Sequence, residues 1–102
     1  MGPVLVTTDE LPDPGRLAVR SWRNDELMQD SSTANLIFDV PYLVSFCSQA
    51  FTLEPGDVIA TGTPSGVGYF REPRLLMHEG DVMTVEVEGI GRLTNPCHEI
   101  GA

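Results

Sequence analysis

The chain has 102 residues, 41% hydrophobic and 21% charged, with fifteen acidic and six basic side chains for a formal charge of -9. That length admits one small domain with one modest core, and the composition lies outside the range of intrinsic disorder. So acidic a chain repels a phosphate backbone, which argues against nucleic acid as a partner, and no stretch approaches the roughly 18 apolar residues of a membrane span.

All six bases are arginines (Arg16, Arg20, Arg23, Arg71, Arg74, Arg92), so chemistry that needs a lysine amine cannot come from these residues. Cys47 and Cys97 form no CxxC, and His78 and His98 form no HExxH, so the spacings of zinc and thiol-redox sites are missing. Without a secretory signal, both cysteines read as reduced core residues and the location as cytoplasmic. Ten glycines and eight prolines exceed the roughly 12% that these two residues usually make up together, which favours a β-rich chain with frequent turns.

In chain order, Pro3 to Thr8 reads as a short β-branched strand closed by an acidic, proline-containing loop that includes Asp9-Glu10. Leu17 to Trp22 alternates, with Leu17, Val19 and Ser21 on one face, and Glu26 to Gln29 resumes the pattern after Asn24-Asp25. A β-hairpin follows, because Asn and Asp tolerate positive φ better than most residues. Val40, Leu43, Val44, Cys47, Ala50 and Phe51 then form one stripe of a 3.6-residue period. Asp39 is the natural N-cap, Pro41 sits harmlessly in the first turn, and Pro55-Gly56 stops the helix from continuing. Beyond it, Asp57 to Ala60 reads as a buried strand, Met83 to Val87 as a half-exposed one, Gly89-Ile90-Gly91 as a turn, and Arg92 to Thr94 as a last strand that pairs back. Gly56-Asp57-Val58 and Gly80-Asp81-Val82 echo one another, which reads as shared turn chemistry and not as a repeat.

Thr61 to Gly68, with sequence TGTPSGVG, combines three glycines with three hydroxyls and no charge. Such a loop lets a ligand reach the backbone and offers donors that do not repel a carboxylate, though a glycine-rich turn after a strand is also simply a turn. It matches neither GxGxxG nor a Walker A loop. Glu86 and Glu88 share one face of a strand and could hold a hard cation or divide acid and base roles; the alternative is the solvated face of an antiparallel strand. His78 and His98 have no partner at readable spacing and read as surface residues.

Taken together, Gly2-Pro3 with Thr7 and Asp9-Glu10, Asn24 with Gln29, Leu53 to Ile59 running into Thr61 to Gly68, Gly80-Asp81-Val82, and Glu88 to Gly91 resemble the fumarylacetoacetate hydrolase family over roughly residues 2 to 96. The resemblance implies a mainly β fold with one helix, part of a mixed, rolled β-sheet catalytic domain. It also implies Mg2+- or Mn2+-dependent chemistry on acylpyruvate-like diketo acids and 2-oxo acids, in which the cation stabilises a developing enolate. By the same resemblance Gln29 reaches substrate from the hairpin, and Thr63 with the Gly62 backbone holds the substrate carboxylate. The family's Glu-x-Glu pair, its metal aspartate, its catalytic histidine and a nearby lysine lie upstream of the opening Gly-Pro, so neither a catalytic nor a metal-ligating residue is assigned here. Glu86 and Glu88 align with the closing strand and are not that pair. Asp25 stands where the family prefers glycine.

Residues 1–102 are therefore expected to form a single domain corresponding to the second half of the family's catalytic domain. Gln29, Gly62 and Thr63 are expected to form a site for a small 2-oxo acid or other carboxylate, with no cofactor held by this chain alone and no metal-dependent activity on its own. A complementing chain is one expected partner. The alternative is a non-catalytic binding or interaction module, expected to be a homo-oligomer and specifically a dimer, because half a sheet leaves strand edges uncovered.

Overall fold

A computed structural model of the chain describes residues 1–101. Its centre is a four-stranded sheet built from β1 (Ala18–Arg23), β2 (Glu26–Ser32), β3 (Val82–Val87) and β4 (Gly91–Pro96), with spatial order β2-β1-β3-β4 and every pairing antiparallel. The β1–β2 hairpin turns at Asn24-Asp25, as expected. Of the two turn residues only Asn24 takes a positive φ, 53°, so an aspartate at position 25 carries no steric penalty. The pairing skips a residue on β2: Ser21 faces Gln29 while Trp22 faces Leu27, leaving Met28 as a bulge.

The single α-helix, α1 (Val40–Ala50), starts where Asp39 Oδ1 accepts the Tyr42 N–H at 2.9 Å, and Pro41 occupies its first turn. Its apolar stripe is not buried. Val44 and Phe51 are 42% and 54% exposed, and no strand packs substantially against the helix. Cys47 and Cys97 are both free thiols and only half-buried, so the expectation that they lie in the core fails with the helix stripe.

Two expected strands do not form. Residues 3–8 pair with nothing, although Pro3 and Val4 line a groove with Val85, Val87 and Ile90 of the β3–β4 hairpin. Residues 57–60 also join no strand ladder, and Val58 is 68% exposed. A β-branched run becomes a strand only when another backbone satisfies its N–H and C=O groups, and among the described residues none does so here. The Gly-Asp echo is shared turn chemistry, as read. Asp57 Oδ2 accepts the Glu54 N–H at 2.8 Å and Asp81 Oδ2 the His78 N–H at 2.9 Å, each after a glycine of positive φ.

The buried residues are few: Leu17 just before β1, Ser21 within it, and Met28 at the bulge of β2. The accessible surface is 7992 Å², against about 5,700 Å² expected of a folded monomer of 11.1 kDa. The radius of gyration is 15.7 Å, where about 13 Å is usual. Both excesses have the same source, a sheet and a helix that leave apolar faces open. Among the described residues, no helix is long and apolar enough to cross a membrane.

Asp81 ties the sheet's far end together. Its carboxylate accepts from the His78 N–H, from Asn24 Nδ2 at 3.1 Å and from Arg23 Nε at 3.0 Å, while Asn24 Oδ1 accepts the Val82 N–H. The His78 backbone bond, then Asn24 and Arg23, lower its pKa to about 2. A carboxyl whose folded pKa lies below its unfolded value of about 3.9 stabilises the fold above that pH and loses the contribution as pH falls toward 2. The parent chain should therefore melt at progressively lower temperature between pH 4 and pH 2. Asp81→Asn should start less stable and show a flatter dependence across that window in thermal unfolding followed by circular dichroism.

Candidate functional site

The site is assembled on the bulge of β2. Gln29 lies opposite Ser21 on the buried face of the hairpin, and the Ser21 hydroxyl donates to Gln29 Oε1 at 2.7 Å. From that position Gln29 Nε2 donates to Thr63 Oγ1 at 2.8 Å and to the Pro64 carbonyl at 2.9 Å. The structure thus joins two of the three expected site residues, Gln29 and Thr63, across thirty-four positions of sequence. Gly62 is adjacent, with φ +100° and open space where a Cβ would stand, so its backbone is accessible from outside.

Arg71 was not legible as a site residue, yet it holds the loop in place. Its Nε donates to the Gly66 carbonyl at 3.0 Å and its Nη2 to the Met28 carbonyl at 2.6 Å. The second bond satisfies the backbone oxygen of the bulged residue. Gly66 meets the strand so closely that a Cβ would lie 2.3 Å from the Met28 oxygen, and its φ is +107°. Only glycine suits that position. Around this frame, Thr63 to Val67 with Phe70 and Arg71 bound an open depression of about 470 Å³. Two N–H groups of the Arg71 guanidinium are directed at carbonyl oxygens, and the lining combines that cation with hydroxyl and backbone N–H donors, a set that suits an acceptor-only group such as a carboxylate.

Other candidates lie apart from this site. Glu86 is paired with Arg20 at 3.6 Å and with Arg92, while Glu88 Oε2 accepts the Ala18 N–H at 2.9 Å. Glu86 thus stands on the charged face of an antiparallel strand, as expected, whereas Glu88 follows the end of that strand. His98 Nδ1 lies 3.0 Å from Glu79 Oε1 on the surface, and His78 is exposed. Among the described residues no three His, Cys, Asp or Glu side chains converge on a point, so the donors present here do not fit a divalent cation. Ser21 was placed on the right face by alternation, and a hydroxyl at a core-facing position was the available signal. Nothing in the run Tyr69 to Arg74 marked Arg71.

The docking predicts two phenotypes. Gly66→Ala should release the loop at a cost of roughly 1–3 kcal/mol, since a side chain there is strained as well as obstructed. Arg71→Met should cost about as much by stranding two carbonyls. Both should raise amide hydrogen exchange across residues 62–68 while the β1–β3 ladder stays protected.

Comparison with known proteins gives this frame its context. Residues 1–98 match the family described as fumarylacetoacetate (FAA) hydrolase C-terminal. The chain is 43% identical over 96 residues to a mitochondrial oxaloacetate tautomerase of Xenopus laevis, covering 94% of this chain and 30% of that protein. It is 47% identical over 91 residues to a homoprotocatechuate catabolism bifunctional isomerase/decarboxylase of Escherichia coli, covering 89% of this chain and 19% of that one. The crystal structure of fumarylacetoacetate hydrolase from Exiguobacterium antarcticum superposes with a TM-score of 0.89 at 46% identity, over 93% of this chain and 34% of the other. Maleylpyruvate hydrolase from Sphingobium sp. SYK-6, solved with manganese(II) and pyruvate, does so with a TM-score of 0.84 at 36% identity, over 93% and 33%. The chain spans about a third or less of these relatives' length. With the family match running from residue 1 to 98, the chain belongs to the fumarylacetoacetate hydrolase family.

Proposed function

We propose that residues 1–102 act as the substrate-carboxylate part of a catalytic domain for 2-oxo and diketo acids, and that this chain does not turn over such a substrate by itself. The observation that carries the reading is the contact of Gln29 with Thr63 and Pro64, which ties Gln29 to the loop whose Thr63 lines an open depression. It is supported by a relative crystallised with pyruvate, a 2-oxo acid, beside manganese(II). Here the chain's task is to bind and orient: the loop's donors take the carboxylate end and hold the oxo group at a set distance and angle. The Mg2+ or Mn2+ of the family's chemistry does not fit the donors present among the described residues and in this reading is held by a complementing chain or segment.

The test is hydrolysis of an acylpyruvate in Mn2+ by the purified chain. No turnover is expected alone. On mixing with a polypeptide that carries the family's Glu-x-Glu half, activity should appear and follow the scarcer partner. Steady Mn2+-dependent hydrolysis by this chain alone would overturn the proposal.

A second reading, a non-catalytic binding module that self-associates, is favoured by the surface excess described above. A symmetric dimer would cover the open sheet edges β2 and β4 or the helix stripe. Light scattering should then give twice the chain mass. A single-chain mass across a wide concentration range would exclude it.

A further inference from the structure

We propose that Ser21 is a positioning residue that acts through Gln29 to leave the Thr63 hydroxyl proton for a ligand, so that the loop favours ligands that accept hydrogen bonds. The inference rests on the reading of this loop as a carboxylate site and assigns roles within it.

The polarity of the network is set by one group. The Pro64 carbonyl can only accept, so the end of the Gln29 side chain facing it at 2.9 Å must be the amide nitrogen. The other end, Oε1, then faces Ser21, and Ser21 has to be the donor of their 2.7 Å bond. The second Nε2 proton points at Thr63 Oγ1, 2.8 Å away, which therefore accepts. A hydroxyl that accepts from Gln29 retains one proton to give, and no acceptor for it exists among the described residues. That proton is left for whatever sits in the depression beside Thr63.

Three consequences follow from the chain Ser21–Gln29–Thr63. Both Gln29 amide protons are already committed, so Gln29 acts on a ligand through Thr63. Ser21 is only 5% exposed, so its hydroxyl is removed from competing water and its bond anchors Gln29 Oε1 in place, while the Pro64 carbonyl keeps the amide from turning over. A carboxylate oxygen completes the series by accepting the Thr63 proton, and because it is charged it does so more strongly than a neutral acceptor.

The test uses the whole chain, with oxalate as probe. Ser21→Ala should weaken oxalate binding about three- to tenfold, the equivalent of one neutral hydrogen bond. Ser21→Thr, which keeps the hydroxyl, should restore it. Thr63→Val should weaken binding at least as much, and Ser21→Ala added to Thr63→Val should bring no further loss, because the serine acts only through the threonine. Full additivity of the two substitutions would overturn the proposal, as would unchanged affinity in Ser21→Ala.

A second readout does not need a ligand. In the parent chain the Gln29 side-chain amide protons should exchange with solvent more slowly than those of free glutamine, and Ser21→Ala should accelerate them while the melting temperature reports that the fold persists. Exchange at the free rate in the parent would overturn the relay. If the parent binds no oxalate, the carboxylate reading of the loop fails, and the amide exchange still decides the relay.

Discussion

An extra residue in β2 leaves a backbone oxygen outside the ladder, and the arrangement of the loop depends on how that oxygen is satisfied. Met28 has no partner in the register of β1, yet its side chain is buried. Its carbonyl takes Arg71 Nη2, the same guanidinium reaches the Gly66 carbonyl, and the glycine-rich loop is thereby drawn against the strand. Only then can Gln29 span from Ser21 to Thr63. A regular strand would have passed its carbonyls to solvent or to another strand and given the loop nothing to dock on.

The remainder of the sheet is held by a different logic. Arg20, Glu86 and Arg92 stand in register across β1, β3 and β4, and the Arg92 guanidinium also lies 4.6 Å from the Trp22 ring centroid. Such exposed pairs add little stability individually, but they keep the Glu86 carboxylate neutralised between two guanidinium groups. That is why Glu86 forms part of a charge ladder and does not serve a cation with Glu88, whose carboxylate accepts a backbone N–H. At the other end, Asp81 binds the turn of the hairpin to the start of β3, and the sheet is thus pinned by polar contacts at both extremities around a small apolar centre.

The small centre explains the open surface. Phe38, just before the helix, stacks in series with Tyr42 and Phe46 of α1, with ring centroids 4.8 and 6.3 Å apart, and all three remain exposed. A helix so apolar gains stability mainly from a face that packs, and among the described residues no element covers it. Relatives that superpose on nearly the whole of this chain carry roughly twice as much additional polypeptide. The exposed stripe and the unpaired extended segments are consistent with a unit that functions against further protein, either more of the same domain or another copy.

What the residues alone determined is what three or four neighbours can settle between themselves. Asp39 caps a helix because its carboxylate reaches an N–H three positions on; Asn24 turns a hairpin because it tolerates φ 53°; Gly56-Asp57 and Gly80-Asp81 make the same turn because each aspartate reaches back three residues. The ordered motifs were also enough to place the chain in its family. The tertiary structure decided everything that requires a partner distant in sequence. Residues 57–60 have the residue pattern of a strand and are not one, since no strand of the sheet pairs with them. The helix stripe has the right period and no face to bury against. Arg71 became the clamp of the loop because the bulge carbonyl of Met28, forty-three residues away, stands within its reach. Ser21 became the anchor of the donor series because pairing set it opposite Gln29. Local sequence encodes angles and caps, but a hydrogen bond across the fold exists only when the whole chain has closed.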